Sequence, residues 1–144
     1  MIVKQLRLIH IMVGLTAVVI FLATGVAMRL VFPAVYQSNV AVRYLYRANH
    51  VYILFAGLLN LAIGAYVSPS HAALRRITQL WGSVLLLPAP FVLVWAFTVE
   101  PIHVTPSRPI TIAGVVLCLA GVGLHFLARP LPQPLSPGGA PRRE

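Results

Sequence analysis

The sequence predicts an all-α integral membrane protein, a four-helix bundle of antiparallel up-and-down topology, and three features carry that expectation. Of its 144 residues, 59% are hydrophobic and only 9% charged, against about 45–50% apolar and about 25% charged in a soluble domain. The few charges bracket long stretches free of Lys, Arg, Asp and Glu. Those stretches lack the alternation of a membrane β-barrel strand, which leaves the helix to satisfy the backbone in lipid. The same apolar content excludes a disordered chain.

The charge-free windows measure out the elements. They run between Arg7 and Arg29 (21 residues), Arg47 and Arg75 (27), Arg76 and Glu100 (23), and Arg108 and Arg129 (20). A span needs about 20 mostly apolar residues, so helices are predicted at 8–31, 48–67, 77–99 and 110–128. Lys4 and Arg7 precede the first as they would a signal peptide. Its apolar part exceeds the usual ~7–15 residues and no A-x-A site closes it, so it reads as a retained span. Asn60, near the middle of the second helix, calls for an interhelical partner. Pro88 and Pro90 predict a kink in the third. Residues 1–128 thus form the transmembrane domain. Residues 129–144, with five of the 12 prolines, read as a disordered cytoplasmic tail.

The charges also orient the spans. One side collects Lys4, Arg7, Arg75, Arg76, Arg129, Arg142 and Arg143; the other collects Arg29, Arg43, Arg47 and Arg108. The positive-inside rule then places a multi-pass protein in the inner membrane with both termini in the cytoplasm. Tyr36, Tyr44, Tyr46, Tyr52, Trp95 and Phe97 suit an outer aromatic belt, and Trp81 an inner one. The net charge of +9 is scattered, without the one-sided cluster that nucleic acid demands.

Several chemistries drop out. The single Cys118 excludes a disulfide framework or cysteine cluster. Phosphate-binding glycine loops and hydrolase or zinc-protease motifs are absent. Proton-coupled transport by an intramembrane carboxylate lacks its residue, because Glu100 falls at a helix end and Glu144 in the tail.

Histidine remains, and ionisable residues at membrane depth usually face the bundle interior and serve function. His10 lies three residues beyond Arg7 and His125 four before Arg129. On antiparallel helices, this places both about 4–6 Å below the cytoplasmic interface at 1.5 Å rise per residue. On the helical wheel His10 shares a face with Gly14, Ala17, Phe21, Thr24 and Met28, opposite Leu8, Leu15, Val19, Leu22 and Val26. His125 shares one with Thr111, Gly114, Cys118 and Gly121, opposite Ile112, Val116, Leu119 and Leu127. Two imidazoles on facing helices, lined by small residues, point to axial ligation of a b-type haem iron by His10 and His125. Arg7 and Arg129 are then placed for the propionates. The bland alternative is that the stripes mark helix contacts and the histidines bond to carbonyls or headgroups. His50, in Arg47-Ala48-Asn49-His50, repeats the R-x-x-H spacing at the opposite side and offers a second haem, with His103 as its same-side partner. His71 is assigned no role.

Arg7 and His10 at the head of the first helix, with Thr24-Gly25 near its far end, resemble the first helix of bacterial di-haem cytochrome b membrane subunits. Ile11 stands where that family commonly has Trp. The resemblance implies haem b, electron transfer to quinone or a partner oxidoreductase, and a place in a larger redox assembly. The competing expectation is a cofactor-free accessory or scaffold protein of a membrane complex, with other membrane subunits or a second copy as partners.

Overall fold

Apolar stretches long enough to cross a bilayer fold as helices because no other local structure pairs their backbone groups there. The computed structural model describes residues 2–30, 33–34, 39–66, 72–103 and 107–129. Its principal helices among the described residues are α1 (Ile2–Leu30), α2 (Val40–Tyr66), α3 (Ala73–Leu86), α4 (Ala89–His103) and α5 (Pro109–Leu127). α3 and α4 together make the third of four candidate spans, Gln5–Leu30, Val40–Tyr66, Ala73–His103 and Pro109–Leu127. The chain is an all-α bundle with the build of a multi-pass membrane protein. The described residues contain no strand.

The boundaries depart from the charge windows in a consistent way. α2 begins at Val40, eight residues before the predicted 48, because Asn39 Oδ1 accepts the N–H of Ala41 at 2.9 Å and caps it. A charge-free window delimits the apolar stretch and not the helix, and Arg43 and Arg47 sit on turns beyond it. α1 likewise begins at Ile2, not at 8. The third span is longer than 77–99 and divided at Leu87 and Pro88, which form a turn. The expected tail at 129–144, except for Arg129, as well as Tyr36 and His71, lies outside the described residues.

The proline break has a physical consequence. Proline carries no N–H, so Pro90 cannot donate to the carbonyl of Leu86 as a helix residue four positions on would. That carbonyl receives the amide of Asn60 instead, Nδ2 to O at 3.2 Å. A second Nδ2 bond goes to Ala56 O at 3.0 Å, one turn back on α2. The interhelical partner that Asn60 demands is thus a backbone group released by the kink.

Neighbouring helices follow the order α1, α2, α4, α5, α3 across the bundle; α1 packs chiefly on α2, and α3 on α5. Both pairs meet through glycine. A methyl on Gly57 would meet Ala17 Cβ at 2.9 Å, and one on Gly121 would meet the carbonyl of Gly82 at 2.8 Å. Small residues let apolar helices approach to backbone contact in the absence of a hydrophobic drive. Ile53, Ala56, Leu86, Ala89, Leu93 and Cys118 fill the centre, and Leu8, Leu15, Val19, Leu22, Val26, Ile112, Val116, Leu119 and Leu127 face outward. Both helical-wheel assignments hold. The aromatic belt needs correction: Tyr46 and Phe97 are buried and meet edge to face at 5.1 Å between centroids, because α2 packs on α4 there.

Candidate functional site

The two histidines singled out in the sequence meet. His10 is 1% and His125 4% exposed, with ring centroids 5.8 Å apart and planes at 79°. α1 is not a packing neighbour of α5 in the bundle order, so the imidazole of His10 reaches across to the α3–α5 pair. Between the rings stands a residue that the sequence reading passed over. Ser83 Oγ lies 2.9 Å from His10 Nε2 and 3.2 Å from His125 Nε2. The same hydroxyl lies 3.0 Å from the carbonyl of Gln79, one turn earlier on α3. His10 Nδ1 in turn lies 2.8 Å from Asn60 Oδ1.

Each member is held in place by the local fold. Asn60 spends both amide hydrogens on carbonyls, so its oxygen is presented to His10 as an acceptor. Ser83 lies on a face of α3 with Gln79 and Gly82, all three buried. Gly82 brings α3 so close to α5 that an added methyl would meet His125 Cδ2 at 2.9 Å. The signal available in the sequence was the polar pair Gln79 and Ser83 at i, i+4 in an apolar run, which marks one inward face.

The other candidates go elsewhere. Arg7 donates from Nε to Gly64 O at 3.0 Å and from a terminal nitrogen to Ala65 O at 2.9 Å, closing the end of α2. Arg129 is exposed, with its guanidinium 5.8 Å from the Phe126 ring centroid. His50 is half-buried near the far end of α1, stacked on Phe21 at 4.0 Å and bonded through Nδ1 to Thr24 Oγ1 at 2.9 Å. Thr24 stands 14 residues beyond His10, roughly 21 Å along the helix, so His50 belongs to a separate place. His103 ends α4 and is exposed.

A third polar cluster closes the end of the bundle nearest His50. Glu100, 7% exposed, accepts the N–H groups of Ile110 and Thr111 at 2.8 and 3.1 Å. These are unpaired donors of the first turn of α5, whose first residue is Pro109, and a carboxylate suits the positive end of the helix dipole. Arg108 Nε stands 3.7 Å from Glu100 Oε2. Asn49 Oδ1 accepts from Arg108 and from Thr111, and Asn49 Nδ2 donates to Ala96 O at 3.0 Å. This cluster ties α2, α4 and α5 together. Apart from Arg108 Nε, which has only the 3.7 Å ion pair, its polar groups are hydrogen-bonded to one another or to backbone, and it reads as a structural clamp.

Haem asks for donors and for space. The donors are present, since both Nε2 atoms converge on the Ser83 hydroxyl, at 2.9 and 3.2 Å. The point between the two rings is occupied in this packing. Ser83 Oγ stands at the point of convergence, Asn60 ties α2 to α3 beside it, and Gly82 and Gly121 are in backbone contact. A macrocycle would require Ser83 to turn away and the layers to part. Among the described residues no group of three or more His, Cys, Asp or Glu stands ready for a metal ion. Comparison with protein-family models, curated proteins and solved structures returns no match to this chain.

Proposed function

We propose that the protein is a cofactor-free subunit of a larger membrane assembly whose buried His10–Ser83–His125 chain takes up a proton from the nearer aqueous side. The observation that carries this reading is the Ser83 hydroxyl, within hydrogen-bond distance of both imidazoles. A hydroxyl both donates and accepts, so it links two titratable rings into one proton-sharing unit. Histidine is the side chain whose ordinary titration falls near neutral pH. Seven cationic residues against four support an inner-membrane location with both termini in the cytoplasm, which makes the cytoplasm the proton source. The chain ends at Asn60, whose amide binds a proton donor but does not carry the proton onward. The unit therefore stores a proton and does not conduct one across the membrane.

The test is proton uptake by the full-length protein in lipid nanodiscs, followed with a pH indicator after a jump from alkaline to acidic buffer. Wild type should take up about one proton more per chain than the His10→Gln, His125→Gln double variant, as linkage requires when a site is deleted. Equal uptake by the two overturns the reading.

A haem b that His10 and His125 would hold is the second reading, favoured by the 5.8 Å approach of the rings and by the resemblance of Arg7, His10, Thr24 and Gly25 to the di-haem cytochrome b subunits. The haem would supply one-electron transfer, with quinone or a partner oxidoreductase as the other party. Protein purified from haem-supplemented cells with a Soret band that His10→Ala or His125→Ala removes, and His50→Ala leaves, would put this reading first. Colourless protein eliminates it.

A further inference from the structure

We infer that Asn60 is a positioning residue that sets the polarity of the histidine chain, so that His125 Nδ1 is the atom that receives the proton and His10 the ring that keeps it. The inference rests on the proton-uptake reading and adds to it a direction, an entry atom and a residue that fixes both.

The argument starts from donors and acceptors. Both bonds of Asn60 Nδ2 run to carbonyl oxygens, Ala56 at 3.0 Å and Leu86 at 3.2 Å. A carbonyl only accepts, so the amide orientation is settled and Oδ1 faces His10 Nδ1 at 2.8 Å. An oxygen acceptor requires His10 Nδ1 to carry hydrogen. In the neutral ring Nε2 is then bare and must accept, and the Ser83 hydroxyl is its partner. The Gln79 carbonyl at 3.0 Å competes for the same hydrogen, but a carbonyl has a second source in its own helix and the bare Nε2 of His10 does not; with the hydrogen given to His10, Ser83 Oγ can only accept from His125, so His125 Nε2 is protonated. His125 Nδ1 is left bare. It is, with Arg108 Nε, one of two buried side-chain nitrogens or oxygens among the described residues that find no hydrogen-bond partner. Buried polar atoms are nearly always paired, and one that is not needs a reason. An acceptor kept open for an incoming proton supplies it.

Uptake then balances in three moves along existing hydrogen bonds. A proton binds His125 Nδ1; the Nε2 hydrogen of His125 passes to Ser83 Oγ; the Ser83 hydrogen passes to His10 Nε2. His10 ends as an imidazolium that donates to Asn60 Oδ1 and Ser83 Oγ, and His125 as the neutral Nδ1–H ring that accepts from Ser83. One proton is gained, and no other bond changes. In the charged state the Ser83 hydrogen has a second acceptor available, the carbonyl of Gln79 at 3.0 Å.

The charged residues on the surrounding helices leave the direction to these hydrogen bonds. On the His10 side they are Arg7 of α1, Arg75 and Arg76 of α3, and Arg129 after α5. Arg29 of α1, Arg43 and Arg47 of α2, Glu100 of α4 and Arg108 lie towards the other end of the bundle, and Cys118 is the further titratable group on α5. Among the described residues no carboxylate stands on the His10 side to compete for the proton. His125 lies two residues before α5 ends at Leu127, about 3 Å of helix rise, so its ring is a short way from the end of the bundle.

The test is ¹⁵N-histidine NMR of the full-length protein in nanodiscs. Under alkaline conditions His10 should show hydrogen on Nδ1 and a bare Nε2, and His125 the reverse. On acidification both nitrogens of His10 should become protonated while His125 gains Nδ1–H and stays neutral. Ser83→Ala, a small change that keeps the helix, cuts the chain and should leave the charge on His125 instead. Asn60→Asp keeps an acceptor and should preserve the His10 Nδ1–H form, whereas Asn60→Leu should lose it. The opposite tautomer at either ring, equal mixtures, or a charge that stays on His125 in wild type overturns the inference. Tautomers are read in the neutral state, so this result stands or falls separately from the amount of proton taken up.

Discussion

Asn60 and His10, fifty residues apart in sequence, are joined by a 2.8 Å hydrogen bond in the buried centre of the bundle. The bond depends on the break before Pro90, because the Leu86 carbonyl released there holds the amide of Asn60 in the orientation His10 needs. A kink in one span thus sets the protonation geometry of a ring on another.

Removing the hydroxyl between the rings should destabilise the fold. In Ser83→Ala, His10 Nε2 and His125 Nε2 both lose their partner, and each stranded buried group costs about 1–3 kcal/mol. Unfolding in mixed micelles should show a loss within or somewhat above that range for Ser83→Ala. Thr98→Ala, an exposed residue bonded only to its own helix, should be near neutral. Equal stability of the two variants would show that the buried network holds nothing together.

Gly121 and Gly123 make a controlled pair. A methyl at Gly121 meets the carbonyl of Gly82 at 2.8 Å and the backbone nitrogen of Leu86 at 3.0 Å, while one at Gly123 meets nothing within 4 Å. Gly121→Ala should therefore force α3 from α5 and cost about 1–3 kcal/mol, as overpacking does. Gly123→Ala should be neutral or slightly stabilising, since alanine favours helix by roughly 1 kcal/mol over glycine. Thermal unfolding in detergent reads the difference. Similar effects at both positions would contradict the α3–α5 contact.

Glu100 should matter as a cap, not as a proton carrier. Glu100→Ala leaves two first-turn N–H groups of α5 unpaired, and loss of a cap costs about 0.5–2 kcal/mol. Glu100→Gln keeps an oxygen acceptor and should recover part of that loss. Neither change should alter proton uptake by the histidine pair. A Glu100→Gln variant that abolishes uptake would move the proton site to the other end of the bundle.

Cys118 supplies a test of the packed interior. It is fully buried between helices, so a membrane-permeant maleimide should label it far more slowly than a cysteine introduced at exposed Leu119. Comparable labelling rates would mean that α5 presents a different face to its neighbours.

The sequence by itself determined the membrane, the spans and the inward faces. Charge-free length translates directly into bilayer thickness, and helical periodicity alone separates His10, Gly14 and Ala17 from Leu8, Leu15 and Val19. The depth match of His10 and His125 was legible for the same reason. Their meeting required more, because α1 and α5 are not adjacent in the bundle and the two side chains meet across the gap. The spacing of Gln79 and Ser83 marks an inward face but names no partner for the hydroxyl; its meaning comes from two rings 73 and 42 residues away in sequence. Asn60 announced a need for a partner, but the identity of that partner followed from which turn of α3 lies beside it. Glu100 read as a helix-end charge and proved to be the cap of the next helix. Local chemistry and periodicity belong to the chain, whereas the pairing of distant donors and acceptors belongs to packing. Only the tertiary structure decided that the space between the two histidines holds a hydroxyl.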